Sequence, residues 1–533
     1  MSRIIAIVGP GVDLPAFVRA RAAFGDVLLG TSDAVIRRGP LAVVAHAIDA
    51  GQILDAYERG DLDALEGEFV FALWDDARKQ LVAARDRFGV RPLYEATRGA
   101  ARILTNTLPA LLELVPRDVD VDRLGDVLTH GVNLAIDKTT WRAIGRIPPA
   151  HSVTLTPNGE RRLTRYWQLP IAREPLRITE REAQEELRAR LVQATKVRAS
   201  GNVVIAMSGG VDSTAVAASL VHAGVMPRAL TSVWDSLIPD VERRYAGLTA
   251  RHLGIPIDFQ ACDAYRPFER WDEPRVRGYE PKDEPFSAAF LDFVGLAARH
   301  GEVLCTGQGG DPILRSSRDY FFNLLRRGRV IRFAHDALGY AFTRRKLPPL
   351  LLRSRIVKRP PSPPPDWLRP HLQERWHGAI PTTDARVHPF RNDAFQLLAQ
   401  TNWPAAFETW DPGVTGQPIA LAVPWLDRHV VEFLLGLPPM PFFADKDIVR
   451  RAMRGWLPDE IRLRPKTTLR GDPLEVVAPG EVERWVELIE SAPLLDELVD
   501  RRKLCKEVRQ HRGRSGVREQ AAVVALAIWL IRS

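Results

Sequence analysis

Residues 203–220, Val-Val-Ile-Ala-Met-Ser-Gly-Gly-Val-Asp-Ser-Thr-Ala-Val-Ala-Ala-Ser-Leu, constrain this chain more than any other stretch. The unbroken apolar run at 203–207, rich in β-branched residues, predicts a buried parallel strand. Gly209 and Gly210 punctuate it, and the small and apolar residues from Val211 onward predict a helix packed against that strand. Asp212 and Ser213 fall in the first turn of the helix, where acidic and capping residues are favoured. Strand, glycine turn and helix N-terminus in succession aim backbone N–H groups and the positive end of a helix dipole at whatever rests on the turn. The two glycines let a ligand approach the backbone closely. Such a turn is a cradle for phosphate.

It is not the P-loop, because no Gly-Lys-Ser/Thr follows at the required spacing. Ser208-Gly209-Gly210-Val211-Asp212-Ser213 instead resembles the SGGxDS pyrophosphate loop of ATP-pyrophosphatases, which split ATP into AMP and pyrophosphate. A turn that merely needs glycine would look the same over six residues. The remainder of the chain decides between the two.

At 533 residues the chain is too long for one core and predicts about three domains, or two larger ones. Its net charge of +8 permits affinity for anionic partners. Cys262, Cys305 and Cys505 are widely spaced with no CxxC pair, so neither a disulfide framework nor a zinc site is expected, and a reducing cytoplasm fits. The N-terminus carries one charge and a very short apolar run, which reads as a first strand and not as a signal peptide. No apolar stretch is long enough to span a membrane.

Residues 1–110 are β-rich: 4–8 and 41–45 read as strands, and alternating runs at 68–74 and 80–84 flank a hairpin signal at 75–79. Residues 65–75 and 84–94, with Ile147-Pro148-Pro149-Ala150-His151 and Arg165-Tyr166-Trp167, resemble the glutaminase domain of asparagine synthetase. The resemblance implies an N-terminal-nucleophile αββα sandwich over residues 1–175. A working glutaminase of this kind has cysteine at position 2; this chain has Ser2. A serine with its own free amine can be a nucleophile, but the family's Asn-Gly-Glu segment is also absent, and Val44-Ala45-His46-Ala47-Ile48-Asp49 stands in its place. The expectation is a retained fold without glutaminase activity, with His46 an ordinary structural histidine.

Helices are expected at 122–131 and 180–198, the latter with Ala183, Leu187, Leu191 and Ala194 on one face. Strands at 229–234, 257–260 and 302–305, with a helix from about 239 to 253, imply a parallel sheet with helices on both faces. The strand at 302–305 delivers Thr306-Gly307-Gln308-Gly309-Gly310-Asp311 to the carboxyl edge, where ligands of open α/β sheets bind. Residues 315–370 are strongly basic and end in a proline cluster; a solvated helical face and a stiff loop are expected, in preference to a docking surface for an acidic partner. Lacking interleaved aromatics, they predict no nucleic-acid binding. From Asp411 to Asp427, and at Lys446, Arg450, 457–461 and Arg464-Pro465-Lys466, the resemblance to asparagine synthetase resumes, so that residues 176–533 are expected to form its ATP-pyrophosphatase domain with helical additions.

Two carboxylates at the ends of neighbouring strands, Asp212 and Asp311, suit magnesium, which binds through one or two carboxylates plus phosphate oxygens. The resemblance implies that these two hold Mg2+, that Lys466 contacts the leaving phosphate, and that ATP lies along Ala206, Met207, Ser208, Gly209, Gly210, Asp212, Ser213, Val233, Gly307 and Gln308. It also implies the reaction class: a carboxylate attacks the α-phosphorus of ATP, and an amine attacks the resulting acyl-adenylate.

Asparagine synthetases carry Gly-Glu-Gly, and β-lactam synthetase Gly-Tyr-Gly, where this chain has Gly307-Gln308-Gly309. Gln308 is no general base. Ala420 and Ala422 replace a Glu and an Arg of the synthetase pattern and suggest room for a larger substrate. The lasso peptide cyclases, which resemble asparagine synthetases with a defunct glutaminase half, fit these departures better. Their resemblance implies a core peptide whose Asp or Glu side chain is joined to its own N-terminal amine, working with a leader peptidase and a leader-recognition protein. The alternatives are an amide ligase acting on ammonia or a small amine, and a non-catalytic ATP-binding scaffold, against which Asp212, Asp311 and Lys466 argue.

Overall fold

The computed structural model describes residues 3–532 apart from 318–319, 327, 345–362, 377, 466–470 and 512–515. Ser2, Lys466 and much of the basic segment before the prolines therefore lie outside the described residues.

Residues 4–165 form two antiparallel sheets of six strands each. One runs in the order Ile144–Arg146, Tyr94–Arg98, Ala101–Thr105, Ile4–Val8, Val27–Thr31, Ala20–Phe24, and the other Arg161–Arg165, His151–Leu155, Gln80–Arg85, Val70–Asp75, Leu41–His46, Ile36–Arg38. The two-residue period of a strand explains the layering. Ile4, Ala6 and Val8 meet Val44, Val70, Ala72 and Trp74 between the sheets. Ile5 and Ile7 face outward onto Leu111, Leu124 and Leu128, while Val43, Phe71 and Leu73 face outward onto Ile53 and Leu54 of the helix Ala50–Arg59. The result is the αββα sandwich that the resemblance implied.

Helix Glu180–Arg198 leads into the second half, opened by a capping box between Thr179 and Glu182. Its face of Ala183, Leu187, Leu191 and Ala194 is fully buried, as the spacing predicts. Five parallel strands follow in the order Ile257–Ala261, Arg228–Val233, Val203–Ala206, Val303–Cys305, Ala420–Ala422. Val203 and Ile205 pack under the helices Glu180–Arg198 and Val211–His222, while Val204, Leu230 and Leu304 pack on the opposite face against Phe293 and Val294 of helix Ser287–Ala298. The central strand ends at Ala206, one residue short of the expected end, because Met207 has already turned into the loop. The fifth strand, only three residues long, carries too little periodicity to be foreseen.

The halves are fastened together by buried charge. Arg198 pairs with Glu68 at 2.6 Å and Asp427 at 2.9 Å, and Arg146 with Glu408 at 3.0 Å. Trp141 and Trp529 meet with ring centroids 5.0 Å apart, so the C-terminal helix Val517–Arg532 shares a core with the first sheet. Of the basic segment, helices Tyr320–Arg326 and Val330–Arg344 are described, with Arg326 and Arg329 exposed. All three cysteines are free and buried, and burial pushes the Cys305 thiol up to about 12, which suits no thiolate chemistry. Among the described residues, no helix is long and apolar enough to cross a membrane.

Candidate active site

The site is made where three parallel strands end side by side. Helix Val211–His222 begins at Gly210, which offers no side-chain cap. The loop before it is braced from within: Ser208 N donates to Ser213 Oγ at 3.1 Å, and Thr231 Oγ1 donates to Met207 O at 2.5 Å. Gly209 N donates outward, to the carboxylate of Glu242. An acid oxygen thus already stands where a phosphate oxygen would sit on the loop. Glu242 also pairs with Arg464 at 3.2 Å, whose guanidinium lies 4.0 Å from the ring centroid of Tyr245.

The second motif crosses the first at very close range. A Cβ on Gly307 would meet Ser213 N at 2.7 Å, and one on Gly310 would meet Asp212 Cγ at 2.8 Å. Only glycine lets the strand Val303–Cys305 bring Asp311 beside Asp212. Gly310→Ala is accordingly expected to push Asp212 aside and reduce AMP formation about a hundredfold. Circular dichroism should stay unchanged, and a variant of full activity would show that the close approach is unimportant.

Asp212 and Asp311 converge on one cation. Lys446 Nζ donates to Asp212 Oδ2 and to Asp311 Oδ1, both at 2.5 Å. Asp445 and Lys446 both adopt left-handed backbone, φ 51° and 58°, a conformation uncommon for residues other than glycine and often found at functional sites. The Asp212 carbonyl is held in turn by Trp425 Nε1 at 3.1 Å. Sequence reasoning noted Lys446 as part of a matching segment but gave it no place at the site; Lys466, assigned the role of the site lysine, lies outside the described residues.

Among the described residues no group of three or more His, Cys, Asp or Glu could hold a metal, but magnesium with a nucleotide needs only one or two carboxylates. Two carboxylates that already share one cationic group beside a phosphate cradle meet that requirement. The donor set fits.

Two cavities flank the loop. One, of about 340 Å3, is lined by Ser208–Gly210, Asp212, Asp311, Lys446, Arg450 and Arg464. The other, of about 670 Å3, is lined by Ala206, Met207, Ser208, Ser213, Gly307 and Gln308 on one side and by an aromatic wall on the other. In that wall Trp234 meets Phe286 at 5.3 Å and Phe290 meets Trp410 at 4.6 Å. The structure thus brings together every described nucleotide residue named from the sequence except Val233. That side chain is 1% exposed and lines neither cavity; its neighbours Thr231, Ser232 and Trp234 line the cleft instead. Ala420 and Ala422 line a third cavity, between the two halves beside His46 and Arg91, and neither lines the aromatic cleft.

A family model described as asparagine synthase matches residues 186–531, and one described as a glutamine amidotransferase domain matches residues 45–167. The amidase chry2 of Gibberella zeae is 32% identical over 269 residues, covering 46% of this chain and 39% of that protein. The amidase chyE of Penicillium rubens is 24% identical over 463 residues, 74% of this chain and 68% of that protein. A putative glutamine-hydrolyzing asparagine synthetase of Mycobacterium tuberculosis is 26% identical over 531 residues, 88% of this chain and 77% of that protein. The chain thus spans about two fifths of the first of these relatives and larger shares of the other two.

Proposed function

The chain belongs to the asparagine synthase family, and on that ground we propose that it is an ATP-dependent, AMP-forming carbon–nitrogen ligase whose new amide lies within one peptide, a lasso macrolactam. The observation that carries the ligase reading is the convergence of Asp212 and Asp311 on one cation beside the Ser208–Gly210 cradle. The peptide reading rests on what surrounds it. The cleft of about 670 Å3 is walled by Trp234, Phe286, Phe290 and Trp410. Among the described residues its lining contains no Arg, Lys or His; the nucleotide residues form one side of it, and the aromatic side offers an apolar surface against which an extended peptide could lie. Ser2 in place of cysteine, together with the missing Asn-Gly-Glu segment, argues against a supply of ammonia from glutamine, which is superfluous if the amine belongs to the substrate.

Magnesium, when bound, polarises the α-phosphorus and neutralises the pyrophosphate leaving group. Asp212 and Asp311 would hold it beside the loop, whose N–H groups would hold the phosphates. A carboxylate oxygen of the peptide attacks the α-phosphorus and the bond to pyrophosphate breaks. The N-terminal amine then attacks the acyl carbon, the acyl–phosphate bond breaks, AMP leaves and the amine gives up its proton. Gln308 orients without taking that proton, and the aromatic wall keeps water from the acyl-adenylate. Lys446, with Lys466 by family resemblance, supplies positive charge to the departing phosphates.

The test is mass spectrometry of a peptide with N-terminal Gly and an internal Asp or Glu, incubated with ATP, magnesium and the leader peptidase and leader-recognition protein of its system. Loss of one water with matching AMP release is expected. If AMP appears only with small acids and free amines, the second reading holds, a small-molecule amide ligase. If no acid yields AMP, the chain is a binding scaffold.

A further inference from the structure

We propose that Glu284 is the carboxylate that holds the attacking amine and takes up its proton as the amide bond forms. The role rests on the ligase reading and holds for a peptide amine or a small free amine alike. Among the described residues four carboxylates line the aromatic cleft, those of Asp212, Glu242, Glu284 and Asp311. Three of them are engaged on the nucleotide side. Asp212 and Asp311 share the ammonium of Lys446, and Glu242 accepts from Gly209 N and pairs with Arg464. Glu284 stands apart, exposed and two residues before Phe286 of the aromatic wall.

The chain around Glu284 fixes its place. Its Oε1 accepts from Phe286 N at 3.2 Å, and its backbone carbonyl accepts from Ser287 Oγ at 2.7 Å. Pro285 O accepts in turn from Phe268 N at 2.8 Å. The cation closest along the chain, Lys282, feels the charge of Glu284 but makes no ion pair with it. Its ammonium lies 5.4 Å from the centroid of the Phe290 ring, and Lys282 does not line the cleft. A cleft that sets one carboxylate among Trp and Phe rings, with no Arg, Lys or His in its described lining, suits an ammonium better than an anion.

The reaction needs a proton acceptor that Gln308 cannot supply. The amine is gathered as the ammonium, the form that prevails at neutral pH. Loss of one proton to water leaves the free amine hydrogen-bonded to Glu284. Its lone pair attacks the acyl carbon, the C–N bond forms, and the bond from that carbon to the phosphate oxygen of AMP breaks. The second proton passes from nitrogen to the Glu284 carboxylate. Bonding to the acyl carbon makes the nitrogen strongly acidic, so a carboxylate can accept that proton.

Separating the two half-reactions tests this role. ATP–pyrophosphate exchange and amide formation are measured on the full chain with the Gly-initiated peptide and its partner proteins, or with aspartate and ammonium chloride if that peptide yields no AMP. Glu284→Gln keeps an acceptor for Phe286 N; exchange should stay within about twofold of wild type while amide formation falls about a hundredfold. AMP should then appear without product. Glu284→Asp should recover part of the loss, and hydroxylamine should trap the adenylate equally in wild type and both variants. Equal losses in exchange and amide formation, or undiminished amide formation, would overturn the role of Glu284. Absence of exchange in the wild-type chain with either acid would overturn the ligase reading, and this role with it.

Discussion

Asp212→Asn should lose AMP formation by about a thousandfold or more, close to 4 kcal/mol of transition-state stabilisation, while unfolding at the same denaturant concentration. The amide keeps the shape of the carboxylate and the contact of the backbone carbonyl with Trp425 Nε1 at 3.1 Å, so the fold around the loop has no reason to change. What disappears is half of the negative charge that gathers one cation between Asp212 and Asp311. Asp311→Asn should behave in the same way, and the double variant should be little worse than either, because the pair acts as a unit. The check is single-turnover release of AMP. Independent losses that multiply in the double variant would mean that the two carboxylates do not share a metal.

Arg198→Met should destabilise the chain by about 3–5 kcal/mol at neutral pH, because it strands two buried carboxylates. Arg198, Glu68 and Asp427 are 8%, 7% and 6% exposed, and Glu68 Oε1 also accepts from Val423 N at 3.2 Å. Burial alone would push the Asp427 carboxyl up, but Arg198 outweighs it and holds the group below its ordinary value. A carboxyl whose folded pKa is depressed contributes stability that is present above its unfolded pKa, about 3.9, and is lost as pH falls through the folded value. In the variant the Asp427 carboxyl loses its counter-charge, so its folded pKa rises and protonation relieves it. The gap between wild type and variant should therefore be widest near pH 7 and narrow below about pH 4. Urea unfolding at the two pH values measures it. A gap independent of pH would mean that lost packing, and not stranded charge, is the cause.

The nucleotide loop was legible because its information is contiguous: strand, glycine turn and helix follow one another within 203–220, and the structure departs from the expectation by one residue at Met207. The same holds for Glu180–Arg198, where a regular apolar spacing and a capping box agree. The site beyond the loop was legible only where residues matched a motif. Lys446 reaches Asp212 and Asp311 because two successive residues take left-handed backbone, which no local pattern of non-glycine residues announces. Its neighbourhood to Arg450 within a matching segment was the one usable signal. The aromatic wall draws Trp234, Phe286, Phe290 and Trp410 from three separated segments, so no periodicity connects them. Ala420 and Ala422 suggest room for a larger substrate, but which cavity they line is decided by the face of a three-residue strand, too short to recognise in the sequence.

The ammonium of Lys446 between the two aspartates has one further consequence. A magnesium ion arriving with a nucleotide would not meet a bare pair of negative charges; it would compete with a tethered cation for the same oxygens. Loading would then be an exchange of partners, and the apparent metal affinity the difference between two attractions. Swapping the lysine for a neutral residue of similar length would tighten the binding of divalent ions on their own even as it slows turnover. A strong hold on metal and a fast reaction would then pull in opposite directions.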